Sequence, residues 1–243
     1  MENALLIGLS RQMAMERNMA IIANNLANMN TTGYKSESML FDEYVMPVAS
    51  EDSPDKSLSF VQDMGLNRNL ADGKLDPTGN PFDVAISGDG YFRVQTDSGV
   101  RYTRNGHFSL DAEGRLVDVS GNPVLDDNGS VITFRPDEEN ITIARDGTIS
   151  TDQGQRGKLG LVSFDNERLL TAAGGTLYTT DQTEVPVEKP HLVQGALEGS
   201  NVNAILQMTN MIDVTRSYAS AQKLVDRADE MRREAITQLG QAA

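Results

Sequence analysis

The chain has 243 residues, 39% of them hydrophobic and 23% charged, which is enough to bury a core as one large domain or two smaller ones. Its formal charge of −14 surrounds it with a negative field that disfavours nucleic acid and anionic lipid as partners. Cysteine is absent, which excludes disulfides, thiolate nucleophiles and cysteine-based zinc sites, and no apolar run approaches the ~20 residues of a membrane span.

The start, Met1-Glu2-Asn3, lacks a basic region, and Leu5-Leu6-Ile7 is too short for the core of a secretory signal, so no cleaved leader is expected. From residue 4 onward the spacing predicts a helix. Leu6, Leu9, Met13, Ala20, Ala23 and Ala27 alternate steps of three and four, with Glu16 the one polar break, as in a coiled-coil seam. Asn28, Asn30, Thr31 and Thr32 then compete for backbone hydrogen bonds and Gly33 accepts positive φ, so the helix is expected to stop there.

Residues 36–81 hold Pro47, Pro54, Pro77 and the acidic run Glu51-Asp52-Ser53, which reads as an extended connector able to pair locally. Between 82 and 178 the pattern becomes short apolar runs separated by Gly88-Asp89-Gly90, Asn105-Gly106, Glu113-Gly114, Asn128-Gly129 and Asp146-Gly147. Such dipeptides suit hairpin turns, and the spacing predicts an antiparallel meander or barrel with strands near 84–86, 91–94, 101–103, 107–110, 115–117, 131–134, 141–143 and 159–164. A second connector is expected over 179–198, broken by Pro186 and Pro190.

The segment Gly199-Ser200-Asn201-Val202-Asn203 offers several N-caps for a long C-terminal helix over 199–243. There Ile205, Met208, Ile212, Thr215 and Ala219 form one stripe, and Val214, Ser217, Ala221, Leu224, Ala228, Met231 and Ala235 a neighbouring one. The predicted class is α+β: terminal helices packed as a coiled-coil-like unit (1–35 with 199–243) around a central antiparallel β domain. Alanine-rich seams bury little area per residue, so the helices are expected either to pack within the chain or to gain order against other copies.

Enzyme chemistry finds few candidates. His107 and His191 are the only histidines and lie far apart in sequence, without metal-ligand spacing. The stretch Ser109-Leu110-Asp111-Ala112-Glu113-Gly114 begins like a calcium loop but has Ser120 where a bidentate glutamate would be needed, and reads better as a hairpin turn. Asp111 and Glu113 could serve as a glycosidase carboxylate pair, but no aromatic sugar platform accompanies them. Met13, Met208 and Met231 read as packing residues.

The run Ala23-Asn24-Asn25-Leu26-Ala27-Asn28-Met29-Asn30-Thr31-Thr32-Gly33-Tyr34-Lys35 resembles the N-terminal signature of bacterial flagellar rod, hook and hook-associated axial proteins. Gly88–Phe92 with Arg101–Phe108 is similar to the β-domain of that family, and Glu198–Asn203 to its C-terminal motif. The resemblance implies no enzyme, no cofactor and no small-molecule substrate, but a structural subunit that stacks helically with copies of itself and other rod proteins into a hollow torque-transmitting shaft. It also implies export through the flagellar type III apparatus and a place in the basal body. Length and the opening Gly8-Leu9-Ser10-Arg11-Gln12-Met13 suit a proximal-rod member, with a distal-rod member the nearest rival. A wall-binding β-module with helical dimerisation arms is the alternative from another class.

Carried over by resemblance, Asn24, Asn25, Asn28, Thr32 and Gly33 form the turn after the first helix, and Asn201, Val202 and Asn203 begin the last. With Leu6, Leu9, Met13, Ala20, Ala23, Ala27, Met208, Ile212, Ala221, Leu224, Ala228 and Met231, they make up the expected assembly interface.

Overall fold

A computed structural model describes residues 2–47 and 57–241. They divide into two compact units: Met1–Ala27, Glu37–Asn69 and Asn203–Ala243 in the first, Asn28–Ser36 and Leu70–Val202 in the second. The fold is α+β, with two long helices and a largely antiparallel β body. The acidic run 51–53 and Pro54, expected in the first connector, lie outside the described residues.

The first unit holds α1 (Glu2–Ala27), β1 (Glu37–Pro47), β2 (Ser57–Arg68) and α2 (Ala204–Gln241). The helices lie antiparallel. Gly8 sits beside Val225, so close that a Cβ there would stand 2.6 Å from Val225 Cγ2, while Asn18 and Ile22 share a groove with Gln207 and Asn210. Ala14, Ile22, Ala221 and Ala228 are buried, small or slender residues that let two helices approach. The stripe expected to form the seam is on another side: Leu6, Leu9, Met13, Ala20, Ala23 and Ala27 are exposed. α1 carries apolar residues on two sides, so a three-four rhythm fits both, and the side with Gly8 and Ala14 permits the closer packing.

β1 and β2 form a long antiparallel ladder, from Glu37 opposite Arg68 to Pro47 opposite Ser57, with an irregularity between Leu40 and Phe41. Arg68 Nη2 donates to Glu37 Oε1 at 2.9 Å and closes its base. Part of the stretch read as a connector is therefore a hairpin.

In the second unit the strands are β3 (Leu75–Pro77), β4 (Val84–Ile86), β5 (Tyr91–Thr96), β6 (Gly99–Thr103), β7 (Ser109–Leu110), β8 (Leu116–Val117), β9 (Thr142–Ile143), β10 (Thr148–Thr151), β11 (Gly154–Lys158), β12 (Leu161–Ser163), β13 (Thr171–Ala172), β14 (Leu177–Thr179), β15 (Val185–Pro186), β16 (Leu192–Gln194) and β17 (Ala196–Glu198). Every described strand pair is antiparallel, and the largest sheet runs β13-β14-β6-β5-β12-β15. Residues 179–198, read as a connector, contribute β15, β16 and β17. β16 pairs with β4 and β17 with β3, so the end of the body closes on its beginning. The strand expected over 131–134 reduces to single bridges, Val131 to Leu125 and Thr133 to Arg115.

Alternation along β5 supplies two cores. Phe92 and Val94 enter a cluster with Val84, Ile86, Phe108 and Leu116, whereas Tyr91 joins Tyr102, Val162, Phe164, Leu170 and Tyr178. The rings of Phe92 and Phe108 meet edge to face with centroids 5.1 Å apart, and those of Tyr102 and Phe164 at 4.7 Å.

One turn is used three times. In Asp111-Ala112-Glu113-Gly114, Asp118-Val119-Ser120-Gly121 and Asp126-Asp127-Asn128-Gly129, the aspartate Oδ1 accepts from the backbone amides two and four residues on, and the glycine takes positive φ. The carboxylate of Asp111, which opens the calcium-like stretch, is thus engaged by the Glu113 and Arg115 amides and the Arg115 guanidinium.

Candidate functional site

The sequence motifs at the two ends of the β body converge there. In the second unit, Thr31 N donates to Asn28 O at 3.1 Å and makes a tight turn, and Gly33 follows at φ +69. Its N–H donates to Glu198 O at 2.7 Å, and a Cβ at this position would lie 2.6 Å from Asn105 N. Glycine is required there twice over, by conformation and by space. Asn201 continues the contact: its Oδ1 accepts from Ser36 N at 2.7 Å and its Nδ2 donates to Ala71 O at 2.8 Å.

Two other asparagines act in the first unit. Asn25 is buried and pairs its amide with the backbone of Glu37, accepting from N at 2.9 Å and donating to O at 2.7 Å, as a neighbouring strand would. Asn203 caps α2, its Oδ1 accepting from Leu206 N at 3.1 Å.

The centre of the motif contact is a buried ion cluster. Lys35 closes the N-terminal signature and Glu198 opens the C-terminal one, and both are 2% exposed. Lys35 Nζ donates to Glu198 Oε1 at 2.7 Å and to Ala71 O at 2.8 Å. Arg104 Nε donates to Glu198 Oε2 at 2.9 Å, while its Nη2 reaches Asp72 Oδ1 at 3.1 Å and Gly88 O at 2.9 Å. Gly73 N also donates to Glu198 Oε1, at 2.9 Å. Two cations thus face two carboxylates. Such a set is tolerable away from water because hydrogen bonds accompany the charges.

Burial pushes the Glu198 carboxyl up, but the Arg104 charge, the Lys35 hydrogen bond and the Gly73 amide outweigh it and hold the group below the ordinary range. Burial pulls the Lys35 ammonium down, aided by Arg104 and opposed by Glu198 and Asp72. A depressed carboxylate stabilises the fold above its unfolded pKa, about 4.3, and that contribution is lost as pH falls through the folded value. Thermal midpoints recorded across the acid range should therefore fall more steeply for the native chain than for Glu198→Gln. Parallel acid profiles would remove Glu198 from this role.

Of the residues expected at an assembly interface, Gly33 and Asn201 lie in the motif contact, and Asn28 and Thr32 stand half-buried in the turn beside it. Val202 is half-buried, and Asn24 is exposed at the end of α1. Ala221 and Ala228 are buried on the α1-facing side of α2, whereas Met208, Ile212, Leu224 and Met231 are exposed. Reasoning from sequence passed over Lys35, Asp72, Arg104 and Glu198 as working residues. Three of them stood inside quoted motifs, which was their only signal, since charge and hydropathy mark such residues as solvated.

Residues 5–35 match the flagella basal body rod protein family, 85–151 the D1 domain of the flagellar hook protein FlgE/F/G family, and 193–239 the C-terminal region of the flagellar basal body rod FlgEFG family. Lys35 and Glu198 fall in the outer two matches and Arg104 in the middle one. The chain is 41% identical to the flagellar basal-body rod protein FlgF of Caulobacter vibrioides and 35% identical to that of Mesorhizobium japonicum, each over 99% of both chains. It is also 36% identical to the rod protein FlgG of Buchnera aphidicola from Acyrthosiphon pisum, over 90% of this chain and 92% of the other. A motif contact assembled from all three matched regions, in a chain similar to FlgF along its whole length, places this protein in the flagellar basal-body rod family as a structural member of FlgF type.

Proposed function

We propose that the chain is a subunit of the proximal rod, stacking helically with copies of itself and other rod proteins into a hollow shaft that carries torque, after export through the flagellar type III apparatus. The supporting observation is the exposure of large apolar residues on both helices: Leu6, Leu9 and Met13 on α1, and Ile205, Met208, Ile212, Leu224 and Met231 on α2 are each about half exposed or more. Single exposed leucines are ordinary, but the stripe on α1 and the two on α2 need covering. Neighbouring helices supply the cover, and α1 and α2 become a coiled-coil-like layer of the shaft wall.

Aspartate in either helix tests this. Ala23→Asp and Leu224→Asp each place a charge that assembly would have to desolvate, at several kcal/mol, on a surface that is open in the single chain. Both variants should accumulate normally, keep the β unit folded by circular dichroism, and abolish swimming in soft agar. Recovery of either variant in isolated basal bodies at native level would contradict the proposal.

A further inference from the structure

The second unit holds a cavity of about 570 Å³, within the size range of small-molecule sites, which the rod proposal does not use. It opens between three turns: the tip of the β5–β6 hairpin, the Asp118 turn and the tip of the β13–β14 hairpin. Alternation along β6 sends Tyr102 into the second core, so Arg101 and Thr103 face the other way and line the cavity, as Asn105 does just beyond the strand.

Several polar groups there are unspent. Asn105 is 7% exposed, and its Oδ1 accepts from His107 N at 3.0 Å, which fixes the amide and leaves Nδ2 as the other end. That Nδ2 makes no hydrogen bond among the described residues, although a donor in so buried a side chain ordinarily has a partner. Arg101 is half-buried and donates from Nη1 to Val100 O at 3.1 Å and Thr179 Oγ1 at 3.3 Å, yet no carboxylate pairs with it among the described residues. The Ser98 and Ser120 hydroxyls are also without a hydrogen bond among them. By contrast Asp118, the buried carboxylate on the wall, is already engaged by Ser120 N, Asn122 N and Asn122 Nδ2.

We propose that this cavity binds a saccharide carrying a single carboxylate. Its donors are open and its buried acceptor is occupied, so the ligand brings oxygen acceptors, and a guanidinium without a counter-ion favours an anion. One cation balances one charge. A phosphate, at about −1.5 to −2, would call for a second cation and would meet the exposed Asp97 at the hairpin tip. A carboxylate alone would fill little of the space, and among the lining residues only Val119 and Leu177 are apolar and larger than alanine, so the rest of the ligand is hydroxyl-bearing and not hydrocarbon. No aromatic ring lines the cavity, so stacking is absent and affinity depends on the carboxylate.

Glucuronic acid and N-acetylmuramic acid are the probes, with glucose and N-acetylglucosamine as their uncharged counterparts and acetate as the acid without a sugar. In the purified full-length chain labelled with 15N at asparagine, the Asn105 side-chain NH2 signals should shift on titration with at least one of the two acids. Its dissociation constant should lie about tenfold or more below those of its uncharged counterpart and of acetate, as expected for a charge-assisted contact. Arg101→Gln should erase that preference with the circular dichroism spectrum unchanged, and Arg101→Lys should restore part of it. Equal affinity for acid and neutral sugars, acetate binding as tightly as the sugar acids, or no shift with either acid would overturn the assignment. None of these readings depends on rod assembly, so failure here leaves the rod proposal standing.

Discussion

Glu198→Ala should destabilise the β unit by about 3–5 kcal/mol, the cost of leaving buried charge without its partner. The substitution takes away the acceptor shared by Lys35 Nζ, Arg104 Nε and Gly73 N. Asp72 cannot replace it, since its side chain is 49% exposed and already accepts from Arg104 and Gly88 N. Lys35 and Arg104 would then face each other with no carboxylate between them. A fall in the thermal midpoint on the order of 10 °C is expected for a unit of this size. Lys35→Met should cost less, because it removes one charge and leaves the Arg104–Glu198 pair intact. A midpoint for Glu198→Ala within about 2 °C of native, a shift worth no more than about 1 kcal/mol, would show that the cluster contributes little.

Gly33→Ala is the second large effect. At φ +69 an L-residue pays about 1–2 kcal/mol for the left-handed conformation. Here the added methyl also overlaps backbone atoms, Asn105 N at 2.6 Å and Arg104 C at 2.7 Å, which cannot swing aside as a side chain would. Relief requires the turn to lift, which pulls Gly33 N from Glu198 O. The sum should reach about 3 kcal/mol or more, as strain and overpacking add. Gly129→Ala separates the two contributions, since its φ is +82 but nothing stands within 4 Å of the new methyl. Urea unfolding should show Gly129→Ala losing only the conformational part. Equal losses at the two sites would mean that the close approach at Gly33 is not tight.

Turn chemistry was the most legible part of the sequence. Glu113-Gly114 marked the β7–β8 hairpin and Asp146-Gly147 the β9–β10 hairpin, both glycines at positive φ, and the Asn28–Gly33 segment ended α1 where its competing side chains required. Asn105-Gly106, expected as a hairpin turn, instead links strands of two different sheets, where Gly106 leaves room for Val84 O. Hydropathy failed in three places for physical reasons. On α1 two apolar sides share one period, and only packing geometry chooses between them. Val131 and Thr133 meet single bridges because the repeated aspartate turns bend the chain every seven or eight residues, too often for a ladder to grow. Strands of two or three residues such as β15 to β17 bury too few side chains to leave a pattern, and Pro186 is tolerated at a sheet edge. The ion cluster was illegible for another reason: Lys35, Arg104 and Glu198 are separated by dozens of residues, and nothing local distinguishes a buried lysine from a solvated one.

Because Lys35, Arg104 and Glu198 are sealed from solvent, dissolved ions have no route between them, and attraction over such short gaps is little affected by screening. An exposed pair such as Arg233 with Asp229 has no such protection and fades as salt rises. The bond between the chain's two signature sequences should therefore weaken far less with added salt than the Arg233–Asp229 pair does.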